Sequence, residues 1–373
     1  MSGLSAVGTG TARFDLGAFR DPELVRSLIA RIQRTAGERE INLMEVCGTH
    51  TMSIGRYGFR SVMPTGLRLL SGPGCPVCVT ANGDIDRAIA LSRIPGVTIT
   101  TFGDMVRVPG SASSLAREKA AGRDIRVVYS PRDAIELASR EPQREVVFLG
   151  VGFETTTPAI AASILEACAR GVDNFSVLSM HKTTPPALRA IVNDPETAID
   201  GFILPGHVST ITGLAPFRFL AEEYGIPGVV TGFEPVDILE GIALLIDMIE
   251  RGAPAIENAY RRGACDEGNQ TARQIAERVF EPCDATWRGL GVLPASGMRI
   301  RARYSRFDAC ERFAVEIEPT QEPRGCRCGD VLRGAIAPSS CPLFDTACTP
   351  EHPVGPCMVS SEGSCAAYHT YRI

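Results

Sequence analysis

Short apolar runs alternate with helix-like stretches for most of this chain, and that alternation limits the fold more than any other feature. The runs are residues 41–46, 67–70, 97–101, 125–129, 146–149, 175–180, 202–204 and 228–230. Helical stretches between and after them include 131–139, with Ser130 placed to cap it, 158–170 and 236–251. Ahead of the first run, Asp21 suits an N-cap and Pro22 the first helical position. Leu24, Leu28, Ile29 and Ile32 then share one face until Gly37 ends the helix. Strands that alternate with helices pair in parallel and are covered on both faces. The expectation is an α/β chain with two doubly wound parallel-sheet domains, residues 1–145 and 146–290. The division is placed where Glu141-Pro142-Gln143-Arg144 interrupts the pattern. Residues 291–373 then form a connecting segment and a small cysteine-rich domain.

Open parallel sheets bind ligands at the carboxyl ends of their strands, and there the polar motifs lie. The run 41–46 enters Cys47-Gly48-Thr49-His50-Thr51, and 67–70 enters Ser71-Gly72-Pro73-Gly74-Cys75-Pro76-Val77-Cys78. Later runs lead to Gly152-Phe153-Glu154, His181-Lys182, Gly206-His207 and Gly232-Phe233-Glu234. The repeated Gly-Phe-Glu hints at two related half-sites. Plainer readings stand beside these: Gly206 and Gly232 as turns, Glu154 and Glu234 as helix caps, His181 and His207 as hydrogen-bonded structural residues. No GxGxxG or GxxxxGK[ST] sequence marks a nucleotide site.

Composition narrows the function. Lys plus Arg number 38 against 43 Asp plus Glu, for a net charge of −5, and aromatics are 6%. Such a chain lacks both the clustered positive charge and the stacking surface of a nucleic-acid binder. No apolar run reaches the ~18 residues of a membrane span, and residues 1–10 lack the pattern of a secretory leader. A cytoplasmic protein is expected, in which the 13 cysteines stay reduced and serve metal or redox chemistry. Seven of them fall before residue 325 and six in the last 48 residues. Cys75-Pro76-Val77-Cys78 can close a reversible disulfide or hold a soft metal. Two thiolates leave a tetrahedral site incomplete, and Cys47 is the best third ligand, with His50 three residues on. In the terminal segment, Cys326, Cys328, Cys341, Cys348, Cys357 and Cys365 fit neither ferredoxin spacing nor a zinc ribbon. Four could hold an iron–sulfur cluster and two form a redox pair, but spacing alone does not say which. Cys168, Cys265, Cys283 and Cys310 read as isolated thiols.

Four separated motifs together closely resemble the HypD family of hydrogenase maturation proteins. They are Cys47-Gly-Thr-His, Gly72-Pro-Gly-Cys-Pro-Val-Cys78, Gly152-Phe-Glu-Thr-Thr-Thr-Pro158 and Cys357-Met-Val-Ser-Ser-Glu-Gly-Ser-Cys365. The resemblance runs from about residue 20 to the end of the chain. It implies two α/β domains and a small iron–sulfur domain carrying a [4Fe-4S] cluster. It also implies a part in building the Fe(CN)2CO group of [NiFe] hydrogenases, with a HypC-like chaperone and a HypE-like cyanide donor. By that resemblance Cys47 holds the iron, shared with a cysteine of the chaperone, and Cys75 and Cys78 are the adjacent redox or iron-assisting pair. The cluster falls to Cys326, Cys341, Cys348 and Cys365. Cys328 and Cys357 become a second redox pair, similar to that of ferredoxin–thioredoxin reductase. His50, Glu154 and His207 complete the candidate catalytic residues. The alternative is a stand-alone disulfide reductase of the ferredoxin–thioredoxin reductase kind, which leaves Cys47 without a role.

Overall fold

The computed structural model describes residues 16–372. Residues 1–10, on which the expectation of no leader rests, lie outside that range. All eight expected strands form, each close to its expected bounds: β1 Ile41–Glu45, β2 Leu67–Ser71, β3 Val97–Thr101, β4 Ile125–Val127, β5 Glu145–Gly150, β6 Phe175–Ser179, β7 Gly201–Pro205 and β8 Gly228–Thr231. Three more were not anticipated: β9 Ile256–Asn258 and the antiparallel hairpin of β10 Phe280–Trp287 with β11 Gly291–Ile300. The first helix, Pro22–Ala36, starts as expected, with the Asp21 carboxylate accepting the N–H groups of Glu23 and Leu24. It ends at Gly37, whose φ of +59° suits glycine.

The strands form two parallel sheets. One has the order β2-β1-β7-β8-β9, the other β4-β3-β5-β6. Alternate residues point to opposite faces, and both faces are apolar. Leu43, Ile203 and Val229 pack with Ile32, Ile238, Ile242 and Leu245 on one side of the five-stranded sheet, while Met44, Phe202, Leu204 and Val230 enter a second core. In the four-stranded sheet, Val146, Phe148 and Val177 face one core and Val147, Leu149 and Leu178 the other.

Each sheet draws strands from both sides of residue 145. β5 is hydrogen-bonded to β3, and β7 to β1. The division expected at 140–146 therefore falls inside the four-stranded sheet: the chain leaves the five-stranded sheet after β2 and returns to it at β7. Residues 141–144 are the turn between the helix Pro131–Arg140 and β5, closed by the Arg144 N–H on the Glu141 carbonyl. Turn chemistry looks the same inside a strand–helix–strand unit as between domains, so the break in pattern carried no information about sheet membership. Among the described residues, the terminal segment likewise has no apolar core to itself. Cys328, Leu332, Cys357 and Met358 belong to the same cluster as Met44, Phe202 and Val230.

Candidate thiol and metal site

Cys47 lies just past the end of β1 as N-cap of the helix Gly48–Arg56. The turn after β2 closes over its backbone: Gly48 N–H donates to the Gly74 carbonyl at 2.9 Å. A Cβ on Gly74 would sit 2.2 Å from the Cys47 nitrogen, and one on Gly72 would sit 2.9 Å from the Glu45 carbonyl oxygen. The glycines of Gly72-Pro73-Gly74 are thus needed for close approach of two backbones, and they bring the two cysteine motifs together.

Cys47 is 8% exposed. Burial pushes its pKa up to about 12, and the Glu362 and Glu45 carboxylates add to the rise. The N–H groups of His50 and Thr49 at the helix start favour the thiolate but do not prevail. Glu362 comes from the terminal cysteine segment. The Thr49 hydroxyl donates to its carboxylate at 2.7 Å, and a Cβ on Gly48 would stand 2.5 Å from its carbonyl oxygen. Sequence reasoning missed Glu362, although it lies inside the Cys357–Cys365 motif, because only the cysteines there were weighed.

His50 is fully buried behind Cys47. Its Nε2 lies 2.9 Å from the Gly232 carbonyl and 2.8 Å from the Thr231 hydroxyl, Nδ1 has no partner, and burial pulls its pKa down to about 4. It is a neutral ring tying the Cys47 helix to the end of β8. His207 is exposed and stacks on Phe233 at 4.1 Å, with Phe233 also against His50 at 4.7 Å. The Glu362 carboxylate acts on both Cys47 and His207, pushing the Cys47 pKa up and opposing the fall that burial causes at His207. The hydrogen bonds of Glu154 lie elsewhere: its carboxylate accepts the Thr184 N–H at 2.7 Å and the Thr184 hydroxyl at 3.0 Å. It anchors the start of the helix Thr184–Val192, a later helix than the one that follows its own turn. Glu234 stands at the N-cap of the helix Pro235–Arg251 and pairs with Arg20. The two Gly-Phe-Glu sequences belong to different sheets.

Cys75 and Cys78 are joined as a disulfide. In this state they present no free thiolate, and Cys47 is the one free thiol of the three expected metal ligands. The Cys78 sulfur faces the Pro356 carbonyl at 3.9 Å, next to Cys357. Cys326, Cys328, Cys341, Cys348, Cys357 and Cys365 line a single small cavity, walled otherwise by Leu343, Phe344, Gly355 and Met358. A Cβ on Gly355 would come within 2.7 Å of the Cys326 sulfur. The sulfurs of Cys328 and Cys357 are 2.7 Å apart. Cys328 is held well below the usual thiol range by hydrogen bonds from Cys326 and Cys357, with Arg288 adding its charge, while the same bonds push Cys326 and Cys357 up. Among the described residues, no three His, Cys, Asp or Glu side chains converge as a ready single-ion site. Cys168, Cys265 and Cys310 are exposed, and Cys283 is half-buried; none lines the cavity.

A profile of the HypD family, described as the hydrogenase formation hypA family, matches residues 23–372. The hydrogenase maturation factor HypD of Rhodobacter capsulatus is 48% identical over 95% of this chain and 97% of its own length. That of Escherichia coli is 43% identical over 95% and 97%. The chain belongs to the HypD family of hydrogenase maturation factors. A putative hydrogenase expression/formation protein of Methanocaldococcus jannaschii is 42% identical over 94% of this chain and 98% of its own length. No helix among the described residues is long and apolar enough to cross a membrane.

Proposed function

We propose that this protein is an assembly scaffold in [NiFe] hydrogenase maturation, acting in the cytoplasm with other maturation proteins. The iron of the Fe(CN)2CO group is its cargo, taken at Cys47. A HypC-like chaperone supplies the iron with a second thiolate and a HypE-like partner donates cyanide. The observation that carries this reading is the seating of the terminal segment: Glu362 is hydrogen-bonded beside Cys47, and Pro356 lies against Cys78. Cargo thiol, disulfide and six-cysteine cavity are thereby parts of one region. A disulfide reductase alone needs no such link to Cys47.

The six-cysteine cavity suits a [4Fe-4S] cluster. Its donors are all soft thiols, its other walls are apolar and offer no carboxylate, and the missing Cβ of Gly355 leaves room beside Cys326. Cys326, Cys341, Cys348 and Cys365 are the proposed ligands, with Cys328 and Cys357 left as a dithiol. When bound, the cluster supplies single electrons. The protein's own groups do the rest. Two electrons and two protons open Cys75–Cys78 into two thiols beside Cys47. The N–H groups of Thr49 and His50 stabilise the Cys47 thiolate once iron displaces its proton.

Anaerobic purification with iron and acid-labile sulfide analysis tests the assignment. Replacing Cys341 or Cys348 by Ala should strip both elements, whereas Cys328→Ala and Cys357→Ala should retain them. Cys47→Ala should retain them too, yet abolish hydrogenase maturation in a complementation assay. Equal iron loss in all four terminal variants would remove the ligand and dithiol distinction, and near wild-type maturation by Cys47→Ala would remove the cargo site.

A further inference from the structure

The six cavity cysteines differ in their distance from solvent. Cys326 is the one that is not buried; Cys341 and Cys365 are 8% exposed, Cys348 7%, Cys328 5% and Cys357 1%. Cys78, across from Pro356, is fully buried. Cys75, at 3%, is buried as well, so of the cysteines between solvent and the Cys75–Cys78 disulfide Cys326 is the one open to an external electron donor.

That edge is flanked by positive charge in a chain whose net charge is −5. Arg324 and Arg327 stand two residues before and one after Cys326, both exposed. Arg324 makes no ion pair among the described residues, while Arg327, 53% exposed, pairs with Asp330 across one turn. Arg333, three residues beyond Asp330, is by contrast neutralised by Asp194, Glu196 and Asp330. The other opening near the cavity, a groove by Arg107, Arg117 and His352, is separated from the Cys348 sulfur by Val354, whose N–H lies 3.3 Å from it. That route ends on a buried cysteine. Gly325, at a φ of +80°, keeps the Arg324–Arg327 turn open and free of a side chain over Leu343.

We propose that the Arg324–Cys326–Arg327 edge is the docking surface for a small acidic one-electron carrier protein of the ferredoxin class. The inference rests on the reading of the cavity as a redox-active cluster site. The carrier gives up one electron per encounter and leaves oxidised by one. Two encounters and two protons convert one disulfide of this chain into two thiols, which balances the reduction of Cys75–Cys78. Complementary charge across such an edge speeds encounter and fixes orientation while remaining sensitive to salt.

The probe is an acidic plant-type [2Fe-2S] ferredoxin, titrated against the anaerobically purified full chain. Binding should weaken steeply with added salt, and Arg324→Glu with Arg327→Glu should raise Kd about tenfold or more. The double variant should keep wild-type iron and sulfide content and be bleached by dithionite as wild type is, since a small reductant needs no docking. Reversal of Arg117 and Arg123, at and beyond the rim of the other groove, should leave Kd unchanged. An unaltered Kd in the Arg324/Arg327 variant, or an equal rise in the Arg117/Arg123 variant, overturns the docking surface while leaving the cluster in place. Wild-type protein without iron and sulfide overturns the cluster reading, and the docking inference with it.

Discussion

His181 shows how one buried residue couples the fold to pH. The Ser179 hydroxyl donates to the Met298 carbonyl, so it accepts from His181 Nδ1 at 2.9 Å, and Nε2 is left bare with no partner. A proton added there would find no acceptor and would lie beside Lys182; burial and that charge pull the pKa down to about 3 from the ordinary 6.5. The unfolded chain therefore binds the proton more readily than the fold does. The stability this residue contributes is complete above pH 6.5 and drains as pH falls toward 3, by on the order of 4 kcal/mol. His181→Gln should be less stable than wild type at neutral pH but lose less between pH 6.5 and 4 in denaturant titrations. Parallel losses in the two proteins would show that His181 is not the coupled group. His50 acts in the same direction and remains in both.

At the scale of elements, the hairpin of β10 and β11 joins the two thiol pairs. Its tip carries Arg288, whose side chain is 2% exposed and donates to the Thr80 carbonyl at 3.2 Å, to Asn82 and to Glu322. Thr80 follows the Cys75–Cys78 turn, and Glu322 precedes the cysteine segment. Gly289 beside it lies so close to Gly329 that a Cβ would come within 2.5 Å of the Gly329 Cα, which seats the tip next to Cys328. Arg288→Met strands buried acceptors and should cost about 3 kcal/mol, read as a lowered thermal midpoint. Glu322 is 61% exposed, so water can replace it, and Glu322→Gln should cost about 1 kcal/mol or less. Equal losses from the two variants would mean that the surface ion pair, rather than the buried carbonyl and amide contacts, holds the tip.

At the scale of the whole molecule, the two sheets are interlocked by the path of the chain. β1 lies between β2 and β7, and β3 between β4 and β5. A fragment of residues 1–145 keeps β1 to β4 but lacks β5 and β7, leaving one edge of each central strand unpaired and two apolar faces uncovered. It should show no cooperative unfolding transition by circular dichroism. A fragment that melts cooperatively would mean that the first four strands close on themselves in some other pairing.

Much of this was written in local sequence. Eight strands, the capped first helix from Asp21 to Gly37 and the cysteine motifs follow from periodicity, capping and turn residues, which act over a few neighbouring positions. The alternation also sufficed for an α/β fold, because strands joined by helices pair in parallel. β9 and the hairpin went unseen: β9 is three residues long, and β10 carries Pro282 and a bulge between Cys283 and Ala285 that spoil its alternation. Sheet membership could not be read at all, since β5 pairs with β3 rather than beginning a new sheet, and nothing local separates those outcomes. The same holds at the site. Cys47 and the Cys75–Cys78 turn are legible as strand-end motifs, but the placement of Glu362 over Gly48 is a contact between residues 314 positions apart. Local sequence determined which groups could do chemistry; only the packing of the terminal segment into the core of the five-stranded sheet decided which of them meet, because shared apolar burial, not neighbouring sequence, brings them together.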